Sequence, residues 1–270
     1  MTTTHLDRRG FLRIAAGSVL TVGACAASSE SEPGAMPGGG GEGGKADDGS
    51  GSTNIELDED GVCLSGTTGD DALGPYWTSN VRQTNMLAAP NQPGQRLLLM
   101  GHVLASDCIT PIPRALVVAW QADDDGLYDY NKAGRNQGSS QGQLTTSQTS
   151  LRGYVPTSTA GSFSFDTIVP SEYPLNLLDP ATSAYRAPHV HFAVFWNDRF
   201  RRQHQLVTQM YFAPTALIKT VVPDIDDLNA NDGGASSAEA SRFIEVAGTA
   251  GSLWHARFDI VLDVAPQLIG

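Results

Sequence analysis

Residues 189–191 read His-Val-His, and this pair of imidazoles is the first feature of the sequence that could do chemistry. On an extended strand, positions i and i+2 face the same side, so both rings would project together. Two imidazoles on one face are a natural start for a metal site. The same pair also reads as two surface or capping histidines. No Cys, Asp or Glu lies within the strand, which argues against a two-His-one-carboxylate iron(II) site unless a distant carboxylate completes one. Two tyrosines stand just past other strand-like runs: Tyr128 in Asp125-Gly126-Leu127-Tyr128, and Tyr173 in Pro170-Ser171-Glu172-Tyr173-Pro174. Strand ends are where a rigid scaffold presents functional groups. Taken alone, each tyrosine reads as an ordinary core or surface residue.

The elements that must position these residues are short and extended. Strand character is clearest at 96–104 (RLLLMGHVL), 115–121 (ALVVAWQ), 161–168 (GSFSFDTI), 189–196 (HVHFAVFW), 207–212 (VTQMYF) and 254–261 (WHARFDIV). Phe163, Phe165 and Thr167 alternate with Ser162, Ser164 and Asp166, the period of a half-buried strand. Gly and Pro clusters such as Thr110-Pro111-Ile112-Pro113 punctuate the runs. Helical periodicity is scarce, and many short strands point to a mainly β fold, a sandwich or barrel. The acidic segment 223–241 (PDIDDLNANDGGASSAEAS) lacks EF-hand spacing and reads as a solvated surface loop.

The ordered motifs around these residues resemble the intradiol ring-cleavage dioxygenases, the family of protocatechuate 3,4-dioxygenase and catechol 1,2-dioxygenase. The matching pieces are Gly74-Pro75-Tyr76-Trp77, Cys108-Ile109-Thr110-Pro111-Ile112, Trp120-Gln121-Ala122 through Tyr128, and Leu151-Arg152-Gly153. They continue with Gly161 through Pro170, Tyr173-Pro174, Arg186-Ala187-Pro188-His189-Val190-His191-Phe192 and Thr208-Gln209-Met210-Tyr211-Phe212. The resemblance covers roughly half the chain and implies a β-sandwich of intradiol type with long loops. It further implies one mononuclear non-haem iron(III) held by Tyr128, Tyr173, His189 and His191, with Arg186 and Gln209 beside the substrate. Tyr130 and Tyr185 lie nearby but do not match the motif. By the same analogy Tyr173 takes a substrate proton, Arg186 stabilises negative charge on the ring, and a catechol and O2 give a muconate-type diacid. The alternative is a protein of the same fold that captures catecholic compounds such as siderophores without turnover.

Departures from the family pattern are also legible. Ser171-Glu172 replaces the usual Pro-Gly, placing an anion near the pocket, and Leu175-Asn176 stand where protocatechuate enzymes carry larger or basic groups. No helical segment is expected before the domain, unlike the catechol 1,2-dioxygenase branch.

The remainder of the chain bears on location. Arg8-Arg9-Gly10-Phe11-Leu12 and the short apolar stretch after it read as a twin-arginine export signal within residues 1–29. Cys25, after Val22-Gly23-Ala24, stands where a lipoprotein would be cleaved and lipidated; ordinary cleavage and release is the alternative. Residues 26–54 are Gly-, Ser- and acid-rich, a tether with too little apolar content for a core, leaving 55–270 as the folded domain. With Cys25 set aside, Cys63 and Cys108 are the only cysteines, and in an oxidising compartment they suggest one disulfide; two buried thiols are the alternative. The net charge of −12, from 17 basic and 29 acidic residues, argues against a nucleic-acid partner, because phosphate binding needs a basic surface. The expected partners are a catecholic small molecule and O2, with a periplasmic or cell-surface location and, through Cys25, a lipid anchor.

Overall fold

The structure, a computed structural model, describes residues 53–133, 144–176 and 178–269, together with two short paired strands, β1 (His5–Leu6) and β2 (Leu12–Arg13). The twin-arginine pair, Cys25 and nearly all of the tether lie outside the described residues. Thr53 and Asn54, at the end of that polar stretch, already hydrogen-bond to Asp259.

Two five-stranded sheets dominate. The first runs in the order β11 (Phe243–Ile244), β10 (Gln203–Phe212), β9 (His189–Asn197), β4 (Leu116–Gln121) and β5 (Arg152–Pro156). The second is built on β3 (Arg96–Leu104), which pairs antiparallel with β6 (Ser162–Ile168). It also pairs in parallel with β13 (Trp254–Arg257) and then β14 (Ile260–Val261), while β12 (Val246–Ala247) joins β13. A small ribbon, β7 (Tyr173–Pro174) with β8 (Tyr185–Arg186), stands apart from both sheets. The helices are short: α1 (Asp129–Lys132), α2 (Ile225–Asn231) and α3 (Gly233–Ser236).

The mainly β sandwich expected from the strand runs is present, with differences that have physical causes. β13 and β14 are two strands where one run was expected: Phe258 N–H still bonds Met100 of β3, but Asp259 N–H turns to Asn54 Oδ1 and the Asp259 carboxylate takes the His102 N–H, which interrupts the ladder. β5 carries Gly153 and few consecutive apolar residues, so its periodicity is weak, yet it pairs along β4 as an edge strand.

The main core lies between the sheets. Leu97, Leu99, Phe163, Phe165, Trp254 and Ile260 face Val117, Ala119, Val190, Phe192, Val194, Met210 and Phe212. Interdigitated at interior density, such side chains make the site expensive to deform: truncating one buried Phe costs about 3–5 kcal/mol. β9 is unusual in being buried along almost its whole length. Its even-numbered residues, Val190, Phe192 and Val194, belong to the sandwich core. Its odd-numbered residues Ala193 and Phe195 belong to a second cluster with Tyr76, Trp120, Tyr128, Tyr130, Leu144 and Tyr173. The loops 73–82 and 122–133 and the ribbon at Tyr173 thus cover the outer face of the first sheet.

Segment 223–241 is not the solvated loop its composition suggested. It folds into α2 and α3, with Ile225, Asn229, Asp232 and Ala235 buried. Apolar residues at 225 and 228 and small residues at 233–236 let it pack, and Asn229 donates to the Phe212 carbonyl at 3.0 Å.

Cys63 and Cys108 are joined as a disulfide with Cα atoms 5.5 Å apart, tying the segment before the domain's first strand to the loop after β3. Replacing both by Ser should lower unfolding free energy by up to about 4 kcal/mol, the loop-closure value for 45 residues. Urea titration with and without reductant checks this: the wild type under reductant should match the double variant.

Candidate metal centre

The outer face of the first sheet sets the site. Antiparallel register places Trp120 and Gln209 on either side of His191, and Tyr211 opposite His189. The two imidazoles project together, as the i, i+2 spacing requires, with ring centres 4.7 Å apart and their Nε2 atoms 3.1 Å apart. His191 lies flat on the Trp120 indole, 4.7 Å centre to centre. His189 Nδ1 sits 2.6 Å from the Ala187 carbonyl oxygen, so Nδ1 carries the proton and Nε2 offers its lone pair inward.

The tyrosines arrive from loops held by other means. Tyr128 precedes α1, and its backbone N–H donates to Asn131 Oδ1 at 3.0 Å. The next residue, Asp129, forms a fully buried ion pair with Arg152, whose Nη1 also donates to the Tyr76 carbonyl at 3.0 Å. Removing one member of such a pair costs about 3–5 kcal/mol because the other charge is stranded. This pair therefore locks the Tyr128 loop, β5 and Tyr76 together, and the Tyr76 ring stacks on Tyr128 at 4.1 Å. Tyr173 is aimed by the β7–β8 ribbon, in which it is the register partner of Arg186. Gly126, at φ +73°, passes so close that a Cβ would overlap the Glu172 carbonyl oxygen. Gly74, at φ +69°, lets the chain pass over His191, where a Cβ would stand 3.1 Å from Cε1.

Tyr128, Tyr173, His189 and His191 thus converge: Tyr128–Tyr173 ring centres are 5.5 Å apart, Tyr173–His189 5.7 Å and Tyr128–His191 6.4 Å. All four are at least 97 % buried, which suppresses charge. Burial and the facing Tyr173 push the Tyr128 phenol well up, and burial lifts Tyr173 to about 12. Burial and the Arg186 charge hold His189 down at about 4, and burial with His189 lowers His191. Both imidazoles are therefore neutral at pH 7, the form that donates a lone pair.

The donor set fits a bound cation. The Tyr128 hydroxyl is buried without a hydrogen-bond partner, and so is His191 Nδ1. An orphaned hydroxyl inside a protein costs about 1–3 kcal/mol, so the fold tolerates this arrangement rather than gaining from it. A metal ion would take the lone pairs of both Nε2 atoms and, by its charge, favour the two phenolates that burial disfavours. The remaining acidic cluster, Asp123, Asp124 and Asp125, is engaged elsewhere: Asp123 accepts from Leu127 N–H and pairs with Lys132.

Arg186 and Gln209 lie beside the four rings. Arg186 Nη2 donates to Gln209 Oε1 at 2.8 Å, and Gln209 Nε2 donates to the Ala72 carbonyl at 3.2 Å. The Tyr211 hydroxyl donates to the same Gln209 oxygen at 3.0 Å, which fixes the amide's orientation. Of the other tyrosines, Tyr130 is buried with its hydroxyl on the Trp77 carbonyl, and Tyr185 is partly exposed on the ribbon. Tyr211, Asp232, Trp120 and Tyr76 have no role that is legible in the sequence. Tyr211 was within reach, because it is two residues from Gln209 on one strand and so shares its face. Asp232 carried no such signal.

A family model described as "Dioxygenase" matches residues 73–263. The chain belongs to the intradiol dioxygenase family. Two relatives are hydroxyquinol 1,2-dioxygenases. That of Rhizobium sp. (strain MTP-10005) is 26% identical over 140 residues, covering 48% of this chain and 44% of that protein. That of Nocardioides simplex is 30% identical over 92 residues, covering 31% and 27%. The matches thus span less than half the length of these relatives. Among solved structures, the dioxygenase domain of a dioxygenase–carbohydrate-binding protein fusion from Streptomyces sp. SirexAA-E has a TM-score of 0.52 and 26% identity. It is matched over 74% of this chain and 99% of that one. The intradiol ring-cleavage dioxygenase of Tetranychus urticae shares the fold, with a TM-score of 0.58, 17% identity, and 73% and 94% coverage.

Within this intradiol dioxygenase scaffold, Tyr128→Phe removes the orphaned hydroxyl. The chelator-treated variant should be more stable than chelator-treated wild type by about 1 kcal/mol, yet bind added metal more weakly. Thermal melts in the presence and absence of metal read both effects; a variant destabilised in the metal-free state would contradict the assignment of an unsatisfied hydroxyl.

Proposed function

We propose that this protein is an iron(III) intradiol dioxygenase that opens a catechol ring between its two hydroxyl-bearing carbons, giving a muconate-type diacid. The observation that carries this reading is the convergence of two buried phenols and two neutral imidazoles, with the Tyr128 hydroxyl left unpartnered. Tyr128, Tyr173, His189 and His191 would hold the metal. Phenolates are hard anionic donors and favour iron(III), which when bound would be chelated by the two catechol oxygens and would make the ring reactive toward O2.

The chain's own residues supply the rest. Tyr173, carried on the two-residue ribbon, is the residue best placed to take a substrate proton onto its phenolate oxygen. Tyr128 is pinned by the Tyr76 stack and the Asp129–Arg152 pair beside it and serves as the fixed oxygen donor. Arg186 presents a fixed cation to charge that develops on the ring, and needs no reorganisation to do so.

Charge also selects the substrate. Among the described residues, the cations around the site are already matched by carboxylates: Arg186 by Asp232, Arg152 by Asp129, and Arg242 by Asp71 and Glu239. Glu172 stands next to Tyr173. A ring carboxylate would find no unpaired cation and would meet like charge, so we infer a catechol with neutral ring substituents. The disulfide between Cys63 and Cys108 supports the oxidising, exported location proposed from the N-terminal sequence, with Cys25 as the candidate lipid anchor.

The iron-loaded protein should be reddish, from tyrosinate-to-iron charge transfer, and should change colour on adding catechol. In air it should yield a muconate-type product, with kcat/KM at least tenfold higher for catechol than for protocatechuate. Colour and shift without product would instead make it a catechol-binding protein, and a colourless iron-reconstituted protein would remove the four-residue site. Tyr173→Phe should keep iron, shift the absorption band and slow catechol binding; unchanged spectra and kinetics would exclude Tyr173.

A further inference from the structure

We propose that Asp232 is the positioning residue of this active site, one carboxylate that fixes both Arg186 and the inward-facing tautomer of His189. The proposal rests on the dioxygenase reading for its catalytic consequence and on geometry alone for the positioning itself.

Asp232 lies between α2 and α3 and is 2 % exposed. Both of its carboxylate oxygens accept from Arg186 Nε at 2.9 Å. Oδ2 also accepts from the Ala187 backbone N–H at 2.8 Å, and Oδ1 from Gly234 N–H at 2.9 Å. The carbonyl of the same Ala187 sits 2.6 Å from His189 Nδ1. A continuous chain therefore runs from the carboxylate through one residue's N–H and C=O to the imidazole. A second branch runs from the carboxylate through Arg186 to Gln209 and, through its Oε1, to Tyr211. If Asp232 only capped α3, the Gly234 contact would suffice. The other contacts all point out of the helix and toward the site.

The charge arrangement agrees with this role. Arg186 is the cation proposed to face the substrate, and its Nε edge is occupied by Asp232 while Nη2 reaches Gln209. With its orientation set by a buried carboxylate, the guanidinium has little freedom left to lose when substrate binds. Gly234 completes the fit, because a Cβ there would stand 2.6 Å from the Tyr211 hydroxyl and 2.8 Å from Arg186 Nη2.

The test uses the full chain in wild-type form and as Asp232→Asn, Asp232→Glu, Arg186→Gln and the Asp232→Asn/Arg186→Gln double variant. Asp232→Asn keeps the size and an acceptor oxygen, so it is the variant expected to fold; circular dichroism verifies this. On iron-loaded protein, Asp232→Asn should lower kcat/KM for catechol at least tenfold with iron content unchanged, and Asp232→Glu should recover part of the loss. The double variant should lose less than the product of the two single losses, since part of the carboxylate's effect passes through the guanidinium and the rest through Ala187 to His189. Independently of turnover, nitrogen-15 spectra of histidine-labelled, metal-free protein should show His189 as a single Nδ1–H tautomer in wild type and as a mixture in Asp232→Asn. If wild type is inactive on catechols but the tautomer responds, the dioxygenase reading fails and the positioning stands. If the losses of the single variants multiply in the double, or the tautomer of Asp232→Asn is that of wild type, Asp232 does not position the site.

Discussion

Everything in the site depends on one strand being buried on both faces. Because side chains alternate across a strand, β9 sends Val190, Phe192 and Val194 into the sandwich core and His189, His191, Ala193 and Phe195 into the layer above the sheet. A slip of one residue would exchange imidazoles for apolar side chains, placing two polar rings in the core and exposing Val190 and Phe192 to the ring cluster. The apolar pattern that stabilises the fold therefore enforces the registration of the histidines. Stability and site geometry rest on the same hydrogen-bonded ladder to β4 and β10, which also delivers Trp120, Gln209 and Tyr211 to their places.

Around that strand the electrostatics are settled by pairing. A buried charge is tolerated only with a partner, and three carboxylate–guanidinium pairs, Arg152–Asp129, Arg186–Asp232 and Arg242–Asp71, surround the four rings. Each joins segments far apart in sequence, so they fix loops that the sheets alone would leave free. At the centre stand two phenols with their ionisation suppressed, two neutral imidazoles, and a hydroxyl with no partner. A site organised this way is poorly satisfied on its own and well satisfied by a cation, the property expected of a preformed metal site rather than a polar core.

The peripheral segment 223–241 shows how composition misleads. Its Asp, Asn, Ser and Gly residues suggest a solvated loop, and most of its charges do face water. Yet Asp232 is buried because Arg186 is there to receive it, and the small residues of α3 allow the close approach that brings them together. Nothing local to the segment encodes this, since the partner lies 46 residues earlier.

Read alone, the sequence determined the class of fold and the histidine pair. Short strand-like runs, the alternation at Phe163 and Phe165, and His-Val-His on a strand are local patterns, and local patterns follow from the two-residue period of extended chain. The order of motifs from Gly74 to Phe212 carried the family, and with it the expectation for Tyr128 and Tyr173. The tertiary structure alone decided which strands neighbour one another, that β5 is an edge strand, and that Trp120 and Tyr76 lie flat on His191 and Tyr128. It also decided that a polar segment buries Asp232 against Arg186. These facts depend on contacts between residues distant in the chain, and their energies come from desolvation and pairing that exist only once the chain has folded.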